Sequence, residues 1–432
     1  MKKSRRVKFQ FKPFSKKQRQ VLNWWTPDSP VKTKNGLIAD GAIRSGKTVC
    51  MSLSFVLWAM DTFNGYNFGM CGKTIASFGR NVLGPLMQML ASRHIAYVYH
   101  RGDNLLTVSF RGRTNDFFIF GGKDESSQAL VQGVTLAGVF FDEVALMPQS
   151  FVNQATARCS VDGSKWWFNC NPEGSSHWFK TEWIDKAKDK GIVYRHFTMD
   201  DNLSLSEKIK ERYRAQYSGV FYERFILGHW VIAEGIIYDN FDKKRHAVRY
   251  EDIEDRLTQA RYVSCDYGTQ NATVFLLWNK GTDGVWYCVK EYYYSGRDQK
   301  KQKTDNEYVE DLVDFIGDLS VRAIVIDPSA ASFIEAVRRA DLPVVKANND
   351  VLDGIREVGV ALNKETIKYV DTCKNTFDEY GAYCWDEKAA ERGEDAPIKQ
   401  NDHAMDATRY FVHTIMNKNK AIVRSKTGRG FN

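Results

Sequence analysis

The chain has 432 residues, of which 43% are hydrophobic and 26% charged. This length predicts two or three domains, and the composition excludes a disordered chain because enough apolar surface is present to form full cores. No run of 18 apolar residues occurs, and the N-terminus lacks the apolar segment of a secretory signal, so we expect no membrane partner. Eight cysteines without a C-x-x-C pair or zinc spacing favour a reduced, cytoplasmic protein.

Positive charge is concentrated at the two ends of the chain. The net charge is +8, and residues 1–19 contain nine basic residues and no acidic one. The tail adds Lys418, Lys420, Arg424, Lys426 and Arg429. Such arms favour a polyanion such as DNA through counterion release. Charge alone leaves the alternative of simple solvated termini open.

The first motif in chain order is a glycine-rich loop that fits G-x-x-x-x-G-K-[ST]. An apolar run at 36–39 precedes it and an apolar helical run at 49–60 follows it, which is the strand-to-helix context that the motif requires. Backbone N–H groups in such a loop bind phosphate oxygens at a helix N-terminus. Lys47 is expected to reach the terminal phosphates, and the Thr48 hydroxyl to bind Mg²⁺. The residues predicted to bind ATP here are Gly41, Arg44, Ser45, Gly46, Lys47 and Thr48.

An acidic pair follows the apolar strand predicted at 137–141. The carboxyl ends of strands are where α/β sheets bind ligands. We expect Asp142 to hold Mg²⁺ through water and Glu143 to orient and deprotonate the attacking water. A charged turn after a core strand is the alternative, and the phosphate loop upstream makes it the weaker one.

Further side chains are candidates for the ATP site. Arg44 is predicted to stabilise the charge of the γ-phosphate in cis, and Arg158 is a weaker candidate for an arginine supplied to a neighbouring subunit. Asn171, after the strand 165–169, is a candidate γ-phosphate sensor. Gln18 or Gln20, before the first strand, is a candidate for contacts with adenine.

The order of predicted elements divides the chain. Residues 1–235 alternate strands and helices and, with the glycine-rich loop, predict an α/β P-loop ATPase domain, and 236–256 are predicted as a linker. Residues 257–432 begin with three strands, at 261–266, 272–279 and 285–294, two of them joined by a glycine-containing hairpin turn. Further α/β units follow. This layout predicts an RNase H-like nuclease domain with a mixed sheet.

Three acidic positions in the second half predict a metal site. Asp266 and Asp327 each end an apolar strand, and we expect the two strands to be neighbours. Asp402, His403 and Asp406 open the last helix, with spacings that put them on one face. Oxygen ligands with one imidazole suit Mg²⁺ or Mn²⁺, and a pair of such ions cleaves phosphodiesters. Each acid alone has an ordinary explanation, since Asp402 could be the helix N-cap.

Together these motifs resemble the large terminase subunit of tailed bacteriophages, with the nearest similarity to the prophage PBSX-type branch. The most specific segments are the Asn-Pro-Glu-Gly sequence after Cys170 and the last acidic motif. The segments that carry the resemblance are 41–48, 139–143, 169–178, 225–230, 233–235, 266–268, 326–329 and 401–410.

The resemblance implies an N-terminal ASCE-type ATPase that translocates double-stranded DNA into a prohead. It also implies a C-terminal RNase H-like endonuclease that cuts concatemeric DNA with the help of metal ions. It implies Asp266, Asp327 and Asp406 as metal ligands with His403 as a helper, Glu143 as the catalytic carboxylate, and residues 169–171 as a coupling motif. Cys170 stands where a small hydroxyl residue is common, which leaves the individual role of each asparagine open.

The resemblance also implies partners and a place of action. The partners are double-stranded DNA, a small terminase subunit and the portal protein. The chain is also expected to form a homo-oligomer, a pentamer on the portal. Away from the portal, an oligomer and a monomer are both open. The expected location is the cytoplasm of the infected bacterium, outside the mature virion. Two other functions share parts of this chemistry, an ATP-dependent helicase or repair nuclease and a nucleotide-switched DNA-binding scaffold. Headful and site-specific cutting both stay open.

Overall fold

Two compact units make up the chain in a computed structural model, which describes residues 9–268, 271–297 and 299–416. Contacts assign Met1–Arg214 and Tyr222–Ile232 to the first unit, and Ala215–Phe221 and Ala233–Asn432 to the second. The chain therefore passes between units at three places. The predicted domain limits at 235 and 257 stay a prediction. Most of the basic arm residues, up to Lys8 and after residue 416, lie outside the described residues.

The first unit is built on an eight-stranded sheet of order β3-β4-β5-β2-β6-β7-β1-β8. The two pairs β3–β4 and β4–β5 are antiparallel, and the other pairs are parallel. The strands are β1 Gly36–Gly41, β2 Asn67–Gly72, β3 Ala96–His100, β4 Leu105–Phe110, β5 Arg113–Gly121, β6 Gly138–Asp142, β7 Lys165–Asn169 and β8 Ile192–Phe197.

Helices cover both faces of this sheet, so its central strands are buried on both sides. Along β1, Leu37 and Ala39 belong to one apolar cluster and Ile38 to the other. The helices are α1 Lys16–Asn23, α2 Lys47–Thr62, α3 Ile75–Phe78, α4 Gly84–Ser92, α5 Gln149–Ala157, α6 Glu207–Arg214 and, at the boundary of the units, α7 Gly219–Tyr222. Helices with i→i+5 hydrogen bonds cover Gly79–Leu83, Lys180–Ile184 and Glu223–Leu227.

An aromatic cluster fixes the helix that follows the glycine-rich loop. Phe55 and Trp58 of α2 lie 5.2 and 4.8 Å, between ring centroids, from Trp167 of β7. All three side chains are nearly or completely buried. Buried aromatic side chains contribute large apolar areas, and ring pairs add about 0.5–1.5 kcal/mol each. The N-terminus of α2, and with it the loop, is thereby held against the carboxyl ends of the central strands.

The second unit contains a seven-stranded mixed sheet of order β14-β13-β10-β11-β12-β15-β9. The pairs β10–β11 and β11–β12 are antiparallel, and the remaining pairs are parallel. The strands are β9 Ala247–Val248, β10 Leu257–Asp266, β11 Ala272–Gly281, β12 Trp286–Ser295, β13 Ile324–Ile326, β14 Val344–Lys346 and β15 Ile367–Val370.

Separate apolar clusters lie on the two faces of this second sheet. Val263 and Cys265 of β10 pack in one cluster, whereas Ala260 and Tyr262 pack in the other, as the alternation of a strand requires. The helices are α8 Lys243–His246, α9 Asp305–Ile316, α10 Ala331–Arg339, α11 Val351–Asn363, α12 Lys374–Ala382, α13 Glu387–Glu391 and α14 His403–Phe411, continued as an i→i+5 helix over Val412–Met416.

The predicted fold class is confirmed, and several elements have the predicted bounds. Strands β2, β4 and β7 begin and end where the sequence indicated. The helix predicted over 75–91 is interrupted by the i→i+5 segment Gly79–Leu83, and β3, β8, β9 and β15 were not predicted. All eight cysteines are free. Among the described residues, no helix has both the length and the apolar character needed to cross a bilayer.

Candidate active sites

The glycine-rich loop between β1 and α2 has a backbone that only glycine adopts easily at two positions. Gly41 has φ +119°, and a Cβ atom there would lie 2.0 Å from the Phe197 carbonyl oxygen. Gly46 has φ +83°, and a Cβ there would lie 2.4 Å from Gln18 Nε2. Side chains are therefore excluded at both positions for steric reasons. The loop can keep its backbone open toward a ligand, as the motif predicts.

Lys47 points into this loop rather than toward solvent. Its Nζ donates to the carbonyl oxygens of Gly41 (2.8 Å) and Ala42 (2.7 Å), and to Asn171 Oδ1 (3.2 Å). Burial lowers the pKa of Lys47 to about 8, although nearby carboxylates, including Asp142, oppose the shift. An ammonium held among carbonyl and amide oxygens is placed to exchange those partners for phosphate oxygens.

Thr48, Asp142 and Asn169 form a connected polar group at the carboxyl ends of three strands. In register, Asn169 of β7 pairs with Ala39 of β1 on one side and with Asp142 of β6 on the other. Thr48 Oγ1 donates to Asp142 Oδ1 at 3.1 Å, and Asn169 Nδ2 donates to Thr48 Oγ1 at 2.9 Å and to Asp142 Oδ1. Burial, with the charge of Glu143, raises the pKa of Asp142 to about 7. A buried carboxylate beside a hydroxyl fits the oxygen ligands that Mg²⁺ prefers.

The other predicted ATP-site residues surround this group. Glu143 follows Asp142 directly and has a left-handed backbone with φ +60°. Such a conformation is uncommon for a non-glycine residue and occurs often at functional sites. Arg44 is exposed, and its guanidinium lies 5.6 Å from the ring centroid of Tyr213. Arg158 ends α5 and is partly buried. The roles of the two arginines stay predictions.

A cavity of about 400 Å³ lies beside the loop. Gln18 lines it, and Gln18 Nε2 also donates to the Ser45 carbonyl oxygen at 3.4 Å. Gln20 is exposed and is not among the lining residues described. The other lining residues are Phe9, Gln10, Phe11, Lys12, Pro13, Phe14, Gly46, Val49, Asn202 and Ser204. An apolar, aromatic cavity with a few amides next to a phosphate loop has the size and character of a base-binding site.

In the second unit, two of the predicted acids lie side by side. Cys265 and Ile326 are paired residues of the parallel strands β10 and β13, and Asp266 and Asp327 follow them directly in the sequence. Asp327 accepts hydrogen bonds from the Ser329 backbone N–H at 2.7 Å and from Asn349 Nδ2 at 3.4 Å. The strand register therefore places the backbones of these two acids next to each other, as expected for neighbouring strands, and the convergence of their carboxylates stays a prediction.

The start of α14 brings the third predicted group to the same place. His403 Nδ1 lies 2.9 Å from Asp266 Oδ2. Burial and the charges of Asp406 and Asp402 raise the pKa of Asp266 to about 6, although the hydrogen bond with His403 opposes this. Burial and the charges of Asp266, Asp406 and Asp327 all raise the pKa of Tyr410. The Tyr410 phenol is thus close enough to the three predicted carboxylates for their charges to affect it.

Two residues without a predicted role support this cluster. Lys399 Nζ lies 3.3 Å from Asp402 Oδ2 and 3.4 Å from Asp406 Oδ2. The buried Glu379 carboxylate accepts the backbone N–H groups of Ala404 (2.6 Å) and Met405 (3.2 Å) at the start of α14. Lys399 stands close to the acidic motif in sequence and could have been noticed. Glu379 had no local signal, because it reaches α14 from the separate helix α12.

The side chains of this cluster are of the types that bind a divalent cation. Within residues 9–268, 271–297 and 299–416, no group of three or more His, Cys, Asp and Glu side chains is arranged to hold one metal ion. Two of the carboxylates instead share the Lys399 ammonium, so a cation already lies between their oxygens. Carboxylates with one imidazole are ligands that Mg²⁺ and Mn²⁺ accept. The metal ligands stay a prediction.

These two sites define a class of enzyme, a P-loop ATPase joined to an RNase H-like nuclease. Residues 38–245 match the family model described as terminase large subunit, T4likevirus-type, N-terminal. The structure of the large terminase from a thermophilic bacteriophage is 62% identical with a TM-score of 0.88, and the match covers 94% of this chain and all of that one. A search of curated protein sequences found no match.

Two further structures of the same thermophilic phage terminase contain nucleotide. One is a complex with ADP at 61% identity, and the other a complex with ATP-gamma-S at 60% identity. Each has a TM-score of 0.84, and each match covers 94% of this chain and 100% of the other. The chain therefore belongs to the large terminase family. It is an ATPase and endonuclease of viral DNA packaging, which translocates double-stranded DNA into the prohead and cuts the concatemer.

Proposed function

We propose that ATP binds at the loop of residues 41–48, with its base in the cavity beside Gln18. The polar group of Thr48, Asp142 and Asn169 is the observation that carries this assignment. Strand register puts Asp142 beside Asn169 at one end of the sheet, and hydrogen bonds join Thr48 to both. The nucleotide complexes of the thermophilic phage relative support it. Thr48 and Asp142 would hold Mg²⁺, which neutralises phosphate charge when bound.

The proposed roles of the side chains follow from their positions. Lys47 exchanges its carbonyl partners for the terminal phosphates and remains next to Asn171. Asn171 is thereby placed to report the state of the γ-phosphate to the segment that follows it. Glu143 orients the attacking water and accepts its proton. Arg44 stabilises charge on the γ-phosphate in cis, and Arg158 is the weaker alternative, acting on a neighbouring subunit.

For the second site we propose cleavage of DNA strands by the carboxylate cluster. Asp266, Asp327 and Asp406 would hold Mg²⁺ or Mn²⁺, with Asp402 and His403 at the edge of the site. Two such ions supply a nucleophile from water and stabilise the leaving oxygen. His403 keeps Asp266 oriented through their 2.9 Å contact. The Ser329 backbone N–H and Asn349 hold Asp327.

Paired variants of the full chain test both sites. Phosphate release with linear DNA and nicking of a plasmid in Mn²⁺ are measured on each protein. Lys47→Ala is expected to lower ATP turnover at least a hundredfold and to leave plasmid cleavage intact, and Asp266→Ala is expected to do the reverse. Lys188→Ala and Asp318→Ala, at exposed positions of the first and second units, are the matched controls. Wild-type cleavage by Asp266→Ala would refute the proposed nuclease site.

The proposal also includes the domain division at 235 and 257, a small terminase subunit and the portal protein as partners, and a pentamer on the portal. We also propose membership of the PBSX-type branch and action in the cytoplasm of the infected bacterium. These assignments rest on the motifs shared with large terminases. Filling of proheads by the full chain with a small subunit, stopped by Glu143→Gln, is the assay that tests the motor as a whole.

A further inference from the structure

Lys399 holds two nearly buried carboxylates together. Its ammonium lies 3.3 Å from Asp402 Oδ2 and 3.4 Å from Asp406 Oδ2. The two carboxylate side chains are each 9% exposed, whereas the lysine side chain is 62% exposed. Lysine is a compact point charge on a flexible stem. Lys399 thus neutralises an inner acidic pair from the solvent side.

The second cation at Asp406 is fixed, in contrast to Lys399. Arg409 donates to Asp406 Oδ1 at 2.8 Å and to the Asn349 carbonyl oxygen at 3.0 Å. Arg409 is 2% exposed and packs so closely on Gly354 that a Cβ there would lie 2.5 Å from its Cγ. Arg409 therefore cannot leave without repacking the core. Of the two cations, Lys399 is the one that can exchange its partners.

Lys399 also lines a polar cavity of about 560 Å³. Its lining contains the cations Lys399 and Arg297, the His403 imidazole, and mostly neutral polar side chains. No carboxylate is among the described lining residues, which are Asn271, Ala272, Tyr293, Ser295, Arg297, Lys399, Gln400, Asn401 and His403. Such a lining suits an anion, and a nucleic-acid strand is recognised first through its phosphates.

We propose that Lys399 exchanges between two anionic partners. Without divalent ions it neutralises Asp402 and Asp406, and when metal ions take up those carboxylates it turns to a phosphate of the DNA strand in the neighbouring cavity. Lys399 is thus a positioning residue that ties metal uptake to strand binding. This inference rests on the proposed nuclease function. It adds that Lys399 competes with the metal ions for the carboxylates and that it contacts the DNA substrate.

Metal titration of the full chain tests the first partner. Mn²⁺ binding without nucleotide is measured by calorimetry for wild type, Lys399→Gln and the exposed control Lys374→Gln. Loss of the competing ammonium is expected to tighten Mn²⁺ binding about three- to fivefold, the size of one part-exposed ion pair. Equal or weaker Mn²⁺ binding by Lys399→Gln, with the control unchanged, would overturn the exchange.

The salt dependence of DNA binding tests the second partner. Binding of a duplex of about 30 base pairs is followed by fluorescence anisotropy against salt, in Ca²⁺ and in EDTA, with the duplex checked for integrity. In Ca²⁺, Lys399→Gln is expected to reduce the slope of log K against log salt by about 1. In EDTA the slopes should agree, because the lysine is engaged by carboxylates. Equal slopes in Ca²⁺, or the same loss in EDTA, contradict the proposal.

Further variants separate the failure of this inference from failure of the nuclease assignment. Lys399→Arg keeps the charge and is expected to restore both readouts toward wild type. If wild type and Asp266→Asn take up Mn²⁺ equally, the nuclease site itself is wrong. If Asp266→Asn loses Mn²⁺ uptake while Lys399→Gln binds Mn²⁺ as wild type does, the site stands and the exchange is refuted.

Discussion

Asp266 links the second site to a measurable pH dependence. Its pKa is raised from 3.8 to about 6 by burial and then by the charges of Asp406 and Asp402. The folded state therefore binds more protons than the unfolded state between these values, and the free energy of unfolding falls as the pH rises through this window. A difference of about 2 pKa units corresponds to roughly 3 kcal/mol. The neutral variant Asp266→Asn should not undergo this loss.

The assay is chemical unfolding in EDTA from about pH 4 to pH 8. The free energy of unfolding of Asp266→Asn minus that of wild type should rise by roughly 3 kcal/mol across this range, and most of the rise should occur below about pH 6.5. The difference cancels contributions of other buried acids, such as Asp142 and Glu379. Exposed Asp318→Asn is the control and should run parallel to wild type. Parallel profiles for Asp266→Asn as well would refute the raised pKa.

Three further variants test packing and charge around the two sites. Gly354→Ala puts a Cβ 2.5 Å from Arg409 Cγ and should cost about 1–3 kcal/mol and lower plasmid cleavage, as measured by unfolding and nicking. Arg224 is 1% exposed, and its guanidinium lies 3.6 Å from the Glu173 carboxylate. Arg224→Ala should therefore lower the free energy of unfolding by about 3 kcal/mol, and a thermal midpoint equal to that of wild type would contradict this. Burial raises the pKa of Glu379 to about 7, so its titration should lower the free energy of unfolding of wild type by about 3 kcal/mol between pH 4.5 and 7. Glu379→Gln should not show this fall in chemical unfolding.

The local parts of both sites were predictable because they follow from chain order. A glycine-rich turn between a strand and a helix fixes Lys47 and Thr48 within a few residues, so the motif is sufficient to locate them. The strand ends at Asp142, Asp266 and Asp327 could be predicted because each apolar run is followed directly by an aspartate. Parallel pairing then brings such ends to the same edge of a sheet.

Contacts that depend on tertiary packing were out of reach. The bonds of Asn169 depend on β7 lying between β1 and β6, a strand order that periodicity does not encode. Glu379 reaches α14 from another helix for the same reason. Strands β9 and β15, with two and four residues, are too short to show alternation. Their places are set by neighbours rather than by their own sequence.

The triple passage of the backbone between units has a practical consequence for dissecting the protein. Phe221 packs on Trp385, with ring centroids 6.2 Å apart, and Tyr238 stacks on Tyr383 at 5.8 Å. Both pairs belong to the second unit. A fragment that starts at Leu257 would omit one ring of each pair and expose its partner to water. Isolated nuclease activity is therefore best sought in a fragment that starts at or before Ala215, and limited proteolysis should spare the peptide bonds around Tyr238.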